Sequence, residues 1–278
     1  MVNDDFHFDE EILMPRANGK RQTANGPSLL IIFAKEPRPG QVKTRLCPPL
    51  SPEAAARLYR CFLEDILEEM GRLPHIGLAV AYAPASCGGE SGVLPASGAD
   101  TRFAPTNANQ HYTSATALNF FRELDPPQVS LFPQEGADLS ERLVRAFDWG
   151  FARGFDGVLV RNSDSPDLPV ELISAGSRAL ARGGADLVLG PGPDGGYYLA
   201  GLKKRRPQLF QGISWSSATV LADTLEKARE SSLSVHLLPS WPDIDTITDL
   251  RAFAARPLIP GAPGRRSRLC ALELLADL

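Results

Sequence analysis

The chain has 278 residues, with 29 basic against 33 acidic side chains, a net charge of −4 and 43% hydrophobic residues. That balance supports a globular core. It excludes a membrane bundle, since no run approaches the roughly 18 consecutive apolar residues of a spanning helix, and it argues against a general nucleic-acid binder.

Residues 1–26 read as a polar, disordered tail ending in the turn signal Asn25-Gly26-Pro27. Their acidic start carries no apolar signal-peptide segment, so a cytoplasmic protein is expected. Leu29 to Ala34 is a continuous apolar run, the pattern of a strand buried on both faces of a parallel sheet. A Pro/Gly loop, Lys35 to Pro49, follows. Ser51 and Pro52 then read as N-cap and first turn of a helix. Ala54, Leu58, Phe62, Ile66 and Met70 recur on one stripe of that helix, and Ala55, Tyr59, Leu63 and Leu67 on the adjacent one.

Ile76–Tyr82 reads as a strand, residues 84–110 as loop, Thr113–Leu124 as a helix and Val129–Phe132 as a short strand. Asp138, with Glu141 three residues on, starts a helix in the manner of a capping box. Strands are predicted over Gly157–Arg161, Asp186–Leu189, Tyr197–Leu202 and Val235–Leu238. Helices are predicted over Leu168–Arg182, Ser216–Glu230 and Thr246 to about Ala255. Strands and helices that alternate in this way predict an α/β fold: a three-layer α/β/α sandwich around a mostly parallel sheet. Beyond the Pro/Gly-rich stretch 257–264, the C-terminal tail (257–278) either docks as a short helix or stays mobile.

Four clusters carry possible chemistry. Residues 35–45 hold Lys35, Arg38, Lys43 and Arg45 against Glu36, a local charge of +3 in eleven residues. A basic, Gly-containing loop leaving a parallel strand is where phosphates bind in open α/β sheets. Gly40 permits backbone approach, and Lys43 and Arg45 supply charge. The loop is neither a P-loop nor G-x-G-x-x-G, and a solvated basic surface loop is the alternative. In the second cluster, Asp164 directly follows a predicted strand. A carboxylate there can hold Mg²⁺ or Mn²⁺, which in turn grips a diphosphate, whereas Asp167 reads as the cap of the next helix. In the third, Asp194 sits among Gly190, Gly192, Gly195 and Gly196, either positioning an acceptor hydroxyl or forming a tight turn. In the fourth, Asp243 and Asp245 share one face of an extended segment. Like charges so placed call for a cation between them, although Asp245 or Thr246 capping the last helix is the competing reading. The cysteines (Cys47, Cys61, Cys87, Cys270) form no C-x-x-C pair, and only four histidines are present, so zinc sites and Ser-His-Asp triads are poorly supplied.

The runs FAKEPRPGQVKTRL, QEGADLSERL, NSDSPDLP, GPGPDGGYYLAGL, LFQGISWSSATVL and DIDTITDL, in this order over residues 28–253, resemble a bacterial family of glycosyltransferase-like proteins. That family has the nucleotide-diphospho-sugar transferase (GT-A) fold, and some members are assigned to arsenosugar biosynthesis. Molybdenum-cofactor and phospholactate guanylyltransferases are more distantly similar. The resemblance implies a GT-A-like domain over residues 27–256 whose N-terminal half binds nucleotide and whose C-terminal half binds the acceptor. It implies Asp164 as the metal-contacting acid, Lys43 and Arg45 near the phosphates, and Asp245 as a second metal contact. This chain departs from the family pattern at Asn162 and Ser140, where glycines are usual, and at Ser217, where threonine is usual. Asn162 is expected to crowd the nucleotide. Residues 84–125 also look longer and more irregular than in typical members.

The expected activity is a Mg²⁺- or Mn²⁺-dependent glycosyltransferase that uses a nucleotide-sugar donor and a small-molecule acceptor, with no nucleic acid and no membrane span. Asp164, Lys43 and Asp194 are its candidate catalytic residues. Lys35, Gly40, Lys43 and Arg45 are the candidate nucleotide-binding residues, and Asp164, Asp243 and Asp245 the candidate metal ligands. The alternatives are a nucleotidylyltransferase acting on a phosphorylated small molecule and a non-catalytic nucleotide-binding protein.

Overall fold

Leu29 to Ile32 are each at most 2% exposed, because the strand they form, β1 (Ser28–Lys35), runs through the middle of the sheet with helices over both faces. The structure, a computed structural model, describes residues 27–83, 116–124, 129–182, 184–215, 217–257, 259 and 261–278. The tail expected over residues 1–26 and the loop expected over 84–110 lie outside them.

The remaining strands are β2 (Ile76–Ala83), β3 (Val129–Pro133), β4 (Gly157–Arg161), β5 (Leu187–Pro191), β6 (Tyr197–Leu202) and β7 (Val235–Leu237). They form one seven-stranded sheet in the order β3-β2-β1-β4-β6-β5-β7. Only β6 runs antiparallel to its neighbours, β4 and β5. A single reversal leaves the ends of β1, β4 and β5 on the same edge, and the loops carrying all four sequence clusters leave from that edge or pass along it.

The helices are α1 (Pro52–Gly71), α2 (residues 116–123), α3 (Leu139–Ala152), α4 (Val170–Ala181), α5 (Val220–Glu230), α6 (Ile247–Ala254) and α7 (Arg265–Ala276). α1, α2, α4, α6 and α7 pack on one face, and α3 and α5 on the other, each face with its own apolar cluster. This is the expected three-layer α/β/α sandwich. The predicted N-caps form where Ser51 Oγ accepts from Ala54 N at 3.1 Å and Asp138 Oδ1 from Glu141 N at 2.9 Å. Thr246 and Asp249 close a full capping box.

The helix predicted from Leu168 begins only at Val170, because Ser165 to Leu168 is a turn and Pro169 is the N-cap. Asp167 does not cap it. Asp167 is 5% exposed, pairs with Arg256 and accepts from Trp241 Nε1 at 3.1 Å. The helix predicted from Ser216 begins at Val220. Of the two readings of the C-terminal tail, the docked helix is observed: α7 lies against α1 and α6. Its first turn is capped from outside by Asp65 of α1, which accepts from Ser267 N at 2.7 Å, Ser267 Oγ at 2.6 Å and Arg266 N at 3.3 Å.

Candidate active site

The loop after β1 is anchored by two apolar side chains, Val42 (4% exposed) and Leu46 (fully buried). Between them Lys43 adopts a left-handed backbone, φ 48° and ψ 39°, at the start of a short 3-10 turn. A non-glycine residue pays roughly 1–2 kcal/mol for that conformation. It turns the side chain inward, where it is 4% exposed. There the Lys43 ammonium pairs with Asp164 of the β4 loop, donates to Asp245 Oδ1 at 3.0 Å and donates to the Ile244 carbonyl at 2.8 Å. It also lies 5.6 Å from the Phe62 ring of α1. Burial pulls the ammonium's pKa down, but the two carboxylates outweigh burial and hold it above the ordinary lysine value.

Arg45 stands outside this knot, 70% exposed, with Nη1 3.5 Å from Asp245 Oδ2. Gly40, φ 74°, makes the turn earlier in the loop. Lys35 ends β1, and its backbone N–H donates to Tyr59 Oη at 3.1 Å. Glu36 pairs with Arg38 at 2.9 Å, which removes one of the loop's four cations from ligand binding.

The β4 loop is held from below. Arg161, the last residue of β4, is 1% exposed and donates to the carbonyls of Asn162 (2.9 Å) and Ser165 (2.7 Å). Burial lowers its pKa to about 10, partly offset by Asp243 and Asp164. Asn162 does not project from the loop as expected. Its Nδ2 donates to Asp243 Oδ2 at 2.8 Å, and its Oδ1 accepts from Asp164 N at 3.3 Å. Ser165 Oγ donates to Asp243 Oδ1 at 2.6 Å. Burial, and after it the charge of Asp164, push the Asp243 carboxyl up to about 6, against the pull of those two hydrogen bonds. Ser163 Oγ shares a 2.6 Å hydrogen bond with Tyr59 Oη, so α1, the end of β1 and the acidic loop are tied at one hydroxyl.

The structure therefore brings Lys43, Asp164, Asp245 and Arg45 together, with Asp243 beside them but turned toward Asn162 and Ser165. Asp194 stands apart. It is exposed on the β5–β6 turn, accepts from Gly196 N at 3.1 Å, and no hydrogen bond or ion pair links it to the Lys43 knot. Tyr59, Ser163, Ser165 and Arg161 were not singled out from sequence. The available signal was a cation closing an otherwise apolar strand and a tyrosine on an apolar helical stripe. The other two departures also have partners. Ser140 Oγ donates to Phe210 O at 2.6 Å and accepts from Trp215 Nε1 at 2.8 Å, and Ser217 Oγ donates to Ser214 O at 2.7 Å.

The β5–β6 turn depends on one glycine. Gly195 has φ 88°, and a Cβ there would lie 2.1 Å from the Ala218 carbonyl oxygen. Gly40 has a similar φ of 74° but open space around it. Gly195→Ala is expected to cost about 2–5 kcal/mol from strain plus overpacking, and Gly40→Ala about 1 kcal/mol. Urea unfolding of both variants checks this; equal midpoints would show that the Ala218 contact is not confining.

The donor set at the knot is all oxygen, which suits a hard divalent cation. Among the described residues no group of three or more His, Cys, Asp or Glu is gathered for a metal ion. What the site offers is a pair of one-third-exposed carboxylates, Asp164 and Asp245, converging with a backbone carbonyl on one positive charge. One or two carboxylates completed by substrate phosphates is the usual Mg²⁺ arrangement, so the residues present fit such an ion. No helix among the described residues is long and apolar enough to cross a membrane.

Residues 100–217 match the family described as "Uncharacterized protein conserved in bacteria (DUF2064)". No curated protein matches the sequence. A crystal structure from Desulfovibrio desulfuricans G20, provisionally described as a nucleotide-diphospho-sugar transferase, is 31% identical, covers 90% of this chain and 97% of its own, and superposes with a TM-score of 0.70. A cytidylyltransferase from Leptospira borgpetersenii is 11% identical over 91% of this chain and 94% of its own, with a TM-score of 0.45. Rv0371c from Mycobacterium tuberculosis, in complex with manganese, is 12% identical over 81% of this chain and 97% of its own, with a TM-score of 0.37. Likeness as distant as the last two does not extend to function.

Proposed function

Since the chain belongs to the nucleotide-diphospho-sugar transferase-like family, we propose that it is a metal-dependent glycosyltransferase acting from a nucleotide-sugar donor on a small-molecule acceptor. The observation that carries this reading is the convergence of Asp164, Asp245 and the Ile244 carbonyl on one cationic point beside a basic loop. Asp164 and Asp245 would hold Mg²⁺ or Mn²⁺, with the half-buried Asp243 carboxyl behind them. Such an ion supplies neutralising charge to a leaving diphosphate.

The chain's own groups do the rest. Lys43 and Arg45 bind the diphosphate oxygens and stabilise the charge that develops as the bond from the sugar's anomeric carbon breaks. The Gly40 turn lets the backbone approach the same oxygens, with Lys35 at the loop's root. Asp194, on its exposed turn, orients the acceptor hydroxyl and takes its proton as the new bond forms. The β4 loop keeps Asp164 in place through Asn162, Arg161 and Tyr59. A nucleotidylyltransferase is the second reading, favoured by the Arg45 guanidinium, which pairs with Asp245 through one nitrogen at 3.5 Å but is 70% exposed, so that its other N–H groups can take a further phosphate.

A thermal-shift screen of nucleotides and nucleotide sugars, each with and without Mn²⁺, tests the proposal. A cognate donor at about 100 times its dissociation constant adds roughly 2.7 kcal/mol, a rise of about 5–10 °C for a domain of this size. Product analysis then separates the readings: nucleoside diphosphate for sugar transfer, pyrophosphate for nucleotidyl transfer. No stabilisation by any nucleotide would refute both.

A further inference from the structure

The Lys43 ammonium has three N–H groups, and three oxygens meet them: the Asp164 carboxylate, Asp245 Oδ1 at 3.0 Å and Ile244 O at 2.8 Å. Its position is set from both ends, by the left-handed backbone at φ 48° and by the Phe62 ring beneath the side chain. Arg45 covers the second oxygen of Asp245 at 3.5 Å. Two cations face two carboxylates, so this knot is neutral by itself. A divalent ion seeking Asp164 and Asp245 meets the ammonium on one oxygen of each carboxylate, where charges of like sign repel at close range. A diphosphate changes the balance, since its oxygens accept the ammonium while its negative charge balances the ion. A compact ammonium on a flexible stem suits that exchange better than a planar guanidinium would.

We infer that Lys43 is the resident counter-ion of Asp164 and Asp245: it keeps a free divalent ion off these carboxylates and releases them only to a metal–diphosphate complex, whose phosphate oxygens then take the ammonium. The inference rests on the reading above, that the site takes a diphosphate with a metal. It goes further in making metal and diphosphate bind as one ligand, with a lysine as the gate.

Calorimetric titration of the full chain with MnCl₂, with sodium pyrophosphate, and with preformed manganese pyrophosphate tests it. The wild-type protein is expected to bind the complex about 10–100-fold more tightly than Mn²⁺ alone, the usual size of a coupling between ligands. Lys43→Met is expected to bind Mn²⁺ alone about tenfold or more tightly than wild type and the complex more weakly. Mn²⁺ alone binding wild type as tightly as the complex would overturn the inference. So would a folded Lys43→Met protein whose affinity for Mn²⁺ alone is unchanged or lower. The wild-type comparison needs no variant and decides even if Lys43→Met does not fold. Pyrophosphate binding that is indifferent to Mn²⁺ would instead overturn the metal dependence of the proposed function, and binding of none of the three would overturn its diphosphate site.

Discussion

Asp164→Asn is expected to abolish the Mn²⁺-dependent part of nucleotide binding and, with a substrate pair in hand, to lower turnover by about 10²–10³, the usual cost of removing one well-placed charge-stabilising group. The fold should survive. The Asp164 side chain is 35% exposed, and the loop is held by main-chain bonds that the substitution leaves alone: Asp164 O accepts from Ile244 N at 3.0 Å, and Arg161 grips the carbonyls on either side. Asparagine keeps the shape and removes the charge, so Lys43 retains Asp245 and Ile244 O. Calorimetry of nucleotide with and without Mn²⁺, paired with a melting curve, separates loss of ligand from loss of structure. An Asp164→Asn protein that still binds nucleotide in a Mn²⁺-dependent way would remove Asp164 from the site.

The largest effect on stability is expected far from any ligand. Asp65→Ala should cost about 3–5 kcal/mol, since it leaves the buried Ser267 N–H and hydroxyl without an acceptor, at about 1–3 kcal/mol each. Asp65 is 5% exposed, and it receives the Ser267 N–H, the Ser267 hydroxyl, the Arg266 N–H and Arg266 Nη1 (3.3 Å). Burial pushes its carboxyl pKa upward, and the Ser267 hydroxyl and N–H, the Arg266 charge and the Arg266 N–H pull against it. The N-cap of α7 is Gly264, which has no side chain to offer, so an α1 residue supplies the cap in its place. Without Asp65, the buried donors of α7 have no acceptor. A fall of roughly 10 °C or more in melting temperature, with early proteolytic cleavage ahead of Arg265, is the expected outcome. A fall below 2 °C would mean that α7 is held by its apolar contacts alone.

The helices and most strand cores were legible because burial imposes a period that the sequence displays. Phe62, Ile66 and Met70 on α1 are buried as their spacing requires, and Ser51, Asp138 and Thr246 cap as their chemistry predicts. Strand direction was not legible. Tyr197 to Leu202 reads as an apolar strand whichever way it runs, and only pairing with Arg161 and Leu187 at its two flanks makes β6 the antiparallel member. The acidic clusters and the basic loop were visible as separate stretches, but the partner of each charge was not. Asp243 and Asp245 were read as a pair sharing a cation; Asp245 has found Lys43, whereas Asp243 has found an amide and a hydroxyl. Asn162 looked like an obstruction because only its size was legible, not its direction. Asp65 gave no signal at all, since its role depends on a helix two hundred residues away.

That distance has a bearing on how the protein comes into being. Lys43 and Asp245 are 202 positions apart, as are Asp65 and Ser267. At a synthesis rate of about 5–20 residues per second, the lysine leaves the ribosome roughly 10–40 s before its second carboxylate exists. Until then only Asp164 and Glu36 can balance the cations of the basic loop. The nascent chain thus carries the residues of all seven strands and of five of the seven described helices before Asp245 is made. The working edge is complete only once the segment after β7 has crossed the ends of β4 and β1, where Ile244 N meets Asp164 O and Asp245 meets Lys43.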